Sequence, residues 1–306
     1  MSTTSDSIAD PGEPQTESDT DPVDFDYEVI IRARTGWQLI DWRELVEYRD
    51  LFRFLVWRSI KVQYAQSMLG IGWAVIQPVF SMIIFTIVFG YLAGIESDGA
   101  PYAVFAFAAL VPWTYFSNAL TDGTNSLLIN TNMLSKVYFP RMMLPLSAVF
   151  AKLIDFCVAM LILCGLIVYY GIPPNAGVLA LPWLIGLMML TAAGLVMWLS
   201  ALAVQYRDIK YAMNFIVQAL MYCTPVVYPA SLIPWTYKWG DYLIYPRLVY
   251  SINPMVGVIE GFRSALLGSA DMPWALLAVG SVSAAIIAAS GSHFFRKKER
   301  LFADVA

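Results

Sequence analysis

Arg49, Asp50, Arg53, Arg58 and Lys61 fall in one half of a helical wheel drawn at 100° per residue, and Leu51, Phe52, Leu55, Val56 and Val62 fall in the other; Phe54, Trp57 and Ile60 are less tidy. A helix divided in this way lies in a membrane–water interface with its cations toward anionic headgroups. The pattern alone leaves open whether those cations only anchor the helix or also contact a substrate. Two further charged pairs stand three residues apart, where one helix face can join them: Lys152 with Asp155, and Glu260 with Arg263. An ionisable pair inside lipid is costly and invites a functional reading. Lys152 and Asp155, however, lie within about two turns of a polar segment, which favours snorkelling and a structural role. Glu260 and Arg263 read most simply as a surface ion pair.

Other chemistries are poorly provided for. No G-x-x-x-x-G-K-[ST] occurs and no Gly is followed by Lys, so a phosphate-cradling loop of that type is excluded. Cys157 and Cys164, seven apart, and Cys223 have no zinc or redox spacing and read as small core residues; His293 stands alone. A metal site is therefore not expected.

The elements that position these residues are membrane spans. The chain has 306 residues, of which 58 % are hydrophobic and 14 % charged, against about 25 % charged in soluble domains. Trp73 to Leu92 contains no charge and reaches about 30 Å as a helix, the depth of a bilayer core. Five more spans are expected: Tyr102–Leu120 bent at Pro112, Leu144–Tyr170, Val178–Val204, Ala212–Val227 and Trp274 to about Phe294. Between the second and third spans, TDGTNSLLINTNMLSKVYFPR is long enough for a short helix outside the bilayer. Between the fifth and sixth, Leu243–Ser251 and Pro254–Leu267 are too short to cross and read as re-entrant or interfacial. The fold class is thus an all-α integral membrane protein with an amphipathic interface helix, six spans and a re-entrant pair.

Residues 1–28 hold nine Asp and Glu and no Lys or Arg, so the formal charge of −4 conceals a basic body. That Ser/Thr/Asp/Pro stretch cannot bury apolar surface and is expected to be a disordered tail, not a signal peptide. Residues 29–66 form the interface region, 67–295 the spans, and 296–306 a short tail. With the amino terminus cytoplasmic, that side holds sixteen Lys and Arg and the other only Lys238, Arg247 and Arg263. The positive-inside rule therefore puts both termini in the cytoplasm and the re-entrant region outside.

Four passages, in order, are similar to membrane permeases of ATP-binding-cassette exporters for lipid-linked polysaccharides of the O-antigen, capsule, teichoic acid and cell-wall galactan type. They are SMLGIGWAVIQP (67–78), NMLSKVYFPR (132–141), QYRDI (205–209) and INPMVGVIEGFR (252–263). The likeness covers about residues 37–300. It implies a channel-forming, non-enzymatic subunit in the plasma membrane. It also implies a homodimer paired with two copies of a separate ATPase, which binds ATP and Mg; this chain itself needs no cofactor. By the same likeness, Arg53, Arg58 and Lys61 engage a polyprenyl diphosphate at the entry helix. Asn132, Met133, Leu134, Lys136 and Phe139, with Arg141 at the rim, dock in the ATPase, and Arg207 and Asp208 make a second contact. Asn253, Pro254, Glu260 and Arg263 belong to an outer gate. Without the resemblance, Lys136 reads as loop solubility and Arg207 as an orientation charge.

Trp73, Trp113, Tyr115, Phe116 and Tyr222 lie in spans, where aromatics either anchor at the interface or line a conduit for sugars. Two other classes compete. A stand-alone secondary transporter wants intramembrane acids, and Asp155 is the one candidate. A membrane-embedded glycosyl or acyl transferase wants clustered outer acids or a His, whereas Glu96, Asp98, Asp241, Glu260 and Asp271 are scattered.

Overall fold

A computed structural model describes residues 46–65, 70, 72–134, 136, 139–239 and 242–299. The acidic stretch 1–28, the first part of the interface region and residues 300–306 lie outside the described residues. The interface helix forms as α1, Arg49–Tyr64, and ends where Ala65 turns extended. The first span is α2, Gly72–Phe85, continued by a π-helical Thr86–Leu92. It tolerates the internal Pro78, which removes one ladder hydrogen bond.

The second helix differs from expectation. α3 spans Tyr102–Ile129 without a break, so TDGTNSLLI is not a separate loop helix. Its polar side chains bond back onto their own helix: Thr121 Oγ1 donates to the Ser117 carbonyl (2.9 Å), Thr124 Oγ1 to that of Leu120 (2.7 Å) and Asn125 Nδ2 to that of Thr121 (2.9 Å). Bonded back in this way, a polar run can continue a helix among apolar neighbours, with Asn125 Oδ1 left buried and without a partner among the described residues. What remains outside is one turn, α4 (Thr131–Leu134). The third span is two helices, α5 (Met143–Ala151) and α6 (Leu153–Tyr169), parted at Lys152. On α6, Cys157 and Cys164 are exposed, as is Cys223; the expectation of core cysteines is corrected, because the buried stripe of α6 runs through Phe156, Ala159 and Leu163 instead.

A 3-10 turn (Ala176–Ala180) leads into α7, Leu181–Gln205. α8, Asp208–Tyr222, has fifteen residues and stops short of the expected Val227. The connection beyond it is not wholly helical. It carries a small antiparallel hairpin, β1 (Tyr237–Trp239) and β2 (Tyr242–Ile244), with Lys238 opposite Leu243. Two helices follow, α9 (Pro246–Tyr250) and α10 (Pro254–Leu267). The hairpin is a short addition to a chain that is otherwise mostly helical, in keeping with the all-α class. α11, Trp274–Glu299, carries the basic turn Arg296–Lys298 as helix rather than as tail. Five of these segments are long and apolar enough to cross a membrane: Gly72–Leu92, Tyr102–Ile129, Met143–Tyr169, Ala176–Gln205 and Trp274–Glu299.

The core forms around α3, where Val104 to Ala109 have no exposed surface, packed by α5, α6, α7 and α10. α7 crosses α11 where Gly194 meets Gly291: a Cβ on Gly194 would come 2.8 Å from the Ala288 backbone, and one on Gly291 would strike the Gly194 carbonyl. Small residues permit such close helix crossings in membranes. Gly291→Ala should therefore cost about 1–3 kcal/mol by overpacking. Gly165→Ala, which meets nothing within 4 Å, should be neutral. Thermal unfolding of the two variants in detergent checks the contrast.

Candidate functional site

The interface helix is seated on a second, smaller core at the end of the bundle opposite the hairpin. Leu55 is 2 % exposed there, among Leu127, Phe139, Met143, Leu144, Met197, Ala201 and Phe295, with Leu51 and Phe52 packed beside it. Phe52 meets Phe150 edge-on at 5.3 Å. This agrees with the apolar half of the wheel except at Val62, which is exposed. Arg53, Arg58 and Lys61 are all exposed beside this core. Arg53 is 3.5 Å from Asp50, Arg58 reaches the Met133 sulfur at 3.5 Å, and Lys61 sits over the Trp57 ring at 4.9 Å.

At the carboxyl end of α1 lies a polar cluster the sequence shows only in part. Lys152 Nζ is 2.6 Å from Asp122 Oδ2 on α3 and 3.9 Å from Asp155 Oδ2 on α6, and donates to Gln63 Oε1 on α1 at 2.9 Å. Gln63 Nε2 in turn donates to Asp155 Oδ2 at 2.8 Å, and the Tyr64 hydroxyl donates to Asp155 Oδ1. Burial, and then the adjoining Asp155 carboxylate, push the Tyr64 hydroxyl above its ordinary range, so it stays a donor. Lys152 does not snorkel: it is 7 % exposed. Asp122 is the residue sequence reasoning missed. The signal for it is the run Ser117, Asn118, Thr121, Asp122 and Asn125, a polar stripe at helical spacing that continues the second span.

Two cavities open on this stripe. One of about 240 Å³ lies between α1, α2, α3 and α6, lined by Tyr64, Trp73, Gln77, Asn118, Asp122 and Lys152 among others. The other, about 380 Å³, lies between α3 and α8 and is lined by Trp113, Ser117, Asn118, Thr121, Asn214 and Gln218 among others. Of the five span aromatics, Trp73 and Tyr115 line the first cavity and Trp113 the second. Tyr222 is exposed, and Phe116 packs in the main core.

Two residues of the stretch 132–141, Phe139 and Arg141, are held by their own chain. Phe139 is 3 % exposed, inside the smaller core. The Arg141 amide and guanidinium bond Glu299 at the end of α11, the latter at 3.0 Å to its carbonyl. Met133 and Leu134 are half-buried, while Asn132 and Lys136 are exposed, as are Arg207 and Asp208 at the start of α8.

At the hairpin end, Arg263 is 2 % exposed. It contacts Glu260 at 2.9 Å and the carbonyls of Val226 (2.8 Å) and Tyr228 (3.2 Å). The expectation of a surface ion pair is thereby corrected: the pair is buried. Asn253 caps α10, its side chain accepting from the Met255 amide at 3.1 Å and donating to Thr224 at 3.0 Å, with Pro254 in the first helical position. Among the described residues, no group of three or more His, Cys, Asp or Glu could hold a metal ion.

An apolar multi-helix bundle with an amphipathic helix along one end defines a multi-pass membrane protein. The family model of the ABC-2 type transporter matches residues 50–267, and the chain belongs to that family of transporter membrane components. It is 28 % identical to the O-antigen export system permease protein RfbA of Myxococcus xanthus, over 84 % of this chain and 96 % of that protein. It is 25 % identical to the protein of the same name from Klebsiella pneumoniae, over 84 % and 95 %. The polysialic acid transport protein KpsM of Escherichia coli is 24 % identical over 69 % of this chain and 78 % of its own length.

Proposed function

We propose that this chain is the channel-forming permease subunit that exports a lipid-linked polysaccharide across the plasma membrane, driven by a separate ATPase. The observation that carries the reading is α1, whose exposed cations Arg53, Arg58 and Lys61 lead along the helix to Gln63 and Tyr64 at the wall of a polar cavity opening between the first three spans. The similarity to two O-antigen export permeases over most of both chains supports it. In this reading α8 with the residues after it is the fifth of six spans, both termini are cytoplasmic, and the hairpin with α9 and α10 forms the outer gate. Two copies of the chain enclose the conduit and two ATPase copies bind the ATP and Mg.

The roles divide by exposure. Arg53, Arg58 and Lys61 offset the hydration a diphosphate loses on leaving the headgroup layer, Arg with a fork that matches phosphate oxygens. Asn132, Lys136, Arg207 and Asp208 meet the ATPase, and Phe139 braces that contact from within. Movement at 132–141 then reaches α1 through the core they share.

Affinity purification of the chain with its ATPase, and surface glycan in a deletion strain, test this reading. A chain that purifies alone, with surface glycan unchanged on deletion, overturns it. Arg58→Ala should reduce export about tenfold to a hundredfold, as loss of a charge-assisted bond of roughly 1.5–3 kcal/mol requires. Arg58→Lys should restore only part, and ATPase assembly should be intact in both. Full export by Arg58→Ala removes this residue from the mechanism.

A further inference from the structure

We infer that the 240 Å³ cavity beneath α1 is a binding site for the sugar ring joined directly to the diphosphate, so that carrier head and first sugar are recognised by adjacent but chemically opposite surfaces. The inference rests on the function proposed above and adds to it a site for the sugar.

Charge separates the two surfaces. Outside, Arg53, Arg58 and Lys61 form a cationic face. Inside the cavity two carboxylates, Asp122 and Asp155, stand against one ammonium, that of Lys152. An anionic lining repels phosphate. It suits hydroxyl groups, because an ionised carboxylate only accepts hydrogen bonds and has several lone-pair sites for them. Asp122 keeps 52 % of its side chain exposed even while paired to Lys152, so it retains acceptor capacity. The carboxamides of Gln77 and Asn118 line the cavity and have no hydrogen-bond partner among the described residues; each offers a donor and an acceptor together. Trp73, 54 % exposed, adds a broad apolar face. Convergent polar groups beside an aromatic plane are what a small, hydroxyl-rich ring requires.

Geometry joins the two surfaces. Lys61 and Tyr64 are three residues apart on α1, within one turn of about 5.4 Å. Lys61 is exposed on the cationic face, while Gln63 and Tyr64 line the cavity. A sugar esterified to a diphosphate lies one bond beyond the phosphate oxygen, so one ligand can span that turn. The cavity is also pre-formed. Lys152, more than nine-tenths buried, is held at its wall by bonds from three elements, so little ordering remains when the ligand arrives.

The test compares two probes on the purified full chain in detergent: a short-chain polyprenyl diphosphate, and the same lipid bearing one glucose, galactose or N-acetylglucosamine. The wild type should bind at least one sugar-bearing probe about tenfold more tightly than the bare diphosphate, the gain expected from one or two net hydrogen bonds. Trp73→Ala and, on a different helix, Asn118→Ala should erase that preference and leave affinity for the bare diphosphate unchanged. Arg58→Ala should weaken both probes in parallel. Equal wild-type affinity for bare and sugar-bearing probes, or a preference that survives both cavity variants, overturns the sugar site while leaving the export reading standing. Failure of every probe to bind overturns the lipid-diphosphate reading and the site with it.

Discussion

Lys152→Met is expected to abolish stable expression of the membrane protein, and Lys152→Met combined with Asp122→Asn and Asp155→Asn to recover much of it. The ammonium is the one positive charge among Asp122, Asp155, Gln63 and Tyr64, reaching the first at 2.6 Å. Deleting one partner of a buried pair costs up to about 3–5 kcal/mol, a figure reduced here by the half-exposed Asp122 and carried mainly by Asp155, and neutralising the set removes that penalty. Total stability of a domain is only about 5–15 kcal/mol, so the single variant should fall largely into aggregate. Size-exclusion profiles and thermal unfolding in detergent read the effect. Export by the rescued triple variant then asks a second question. The amide oxygen at position 155 can still accept from Gln63 and Tyr64 and so tie α1 to α6, but the cavity no longer presents carboxylates. Under the site proposed above it should fold and yet export poorly. A single Lys152→Met variant with wild-type unfolding temperature would show the cluster to be unimportant for stability.

Arg263→Met should be comparably damaging at the opposite end. The guanidinium gathers three parts of the chain. It bonds Phe105 at the start of α3 (3.4 Å to the carbonyl), Val226 and Tyr228 in the connection, and Glu260 on its own helix. Its carbon lies 3.6 Å from the Phe105 ring centroid. Glu260 is also the acceptor for the Ala230 amide at 3.2 Å. Methionine fills the volume but abandons the carboxylate and three carbonyls, a loss again of about 3–5 kcal/mol. Arg263→Lys should recover little, because an ammonium on one stem cannot reach acceptors arrayed around a planar fork. Glu260→Gln should be milder, since the amide oxygen still accepts from Arg263 and Ala230. Unfolding temperatures in the order wild type, Glu260→Gln, Arg263→Lys, Arg263→Met are expected; a wild-type value for Arg263→Met would refute the clamp.

The membrane class of this protein, most of its crossing segments and the amphipathic division of α1 were determined by sequence alone. Apolar length and helical periodicity are local properties, and a segment such as Trp73–Leu92 carries them whatever it packs against. The polar continuation of α3 was harder to read, because Thr121, Thr124 and Asn125 look like loop residues until their bonds to the preceding turn are seen. Tertiary structure alone decided the partners of the charges. Lys152 and Asp155 are visible as neighbours at i and i+3, but Asp122 lies thirty residues from Lys152 and Gln63 lies eighty-nine away. Glu260 and Arg263 look alike in sequence whether on a surface or in a core, and only the packing of α3 and the 226–230 connection over them buries the pair. Phe139 likewise turned inward because Leu55, Met143 and Phe295 converge on it from three helices. In each case the deciding quantity is burial, which depends on contacts between distant segments; periodicity within one segment cannot encode it.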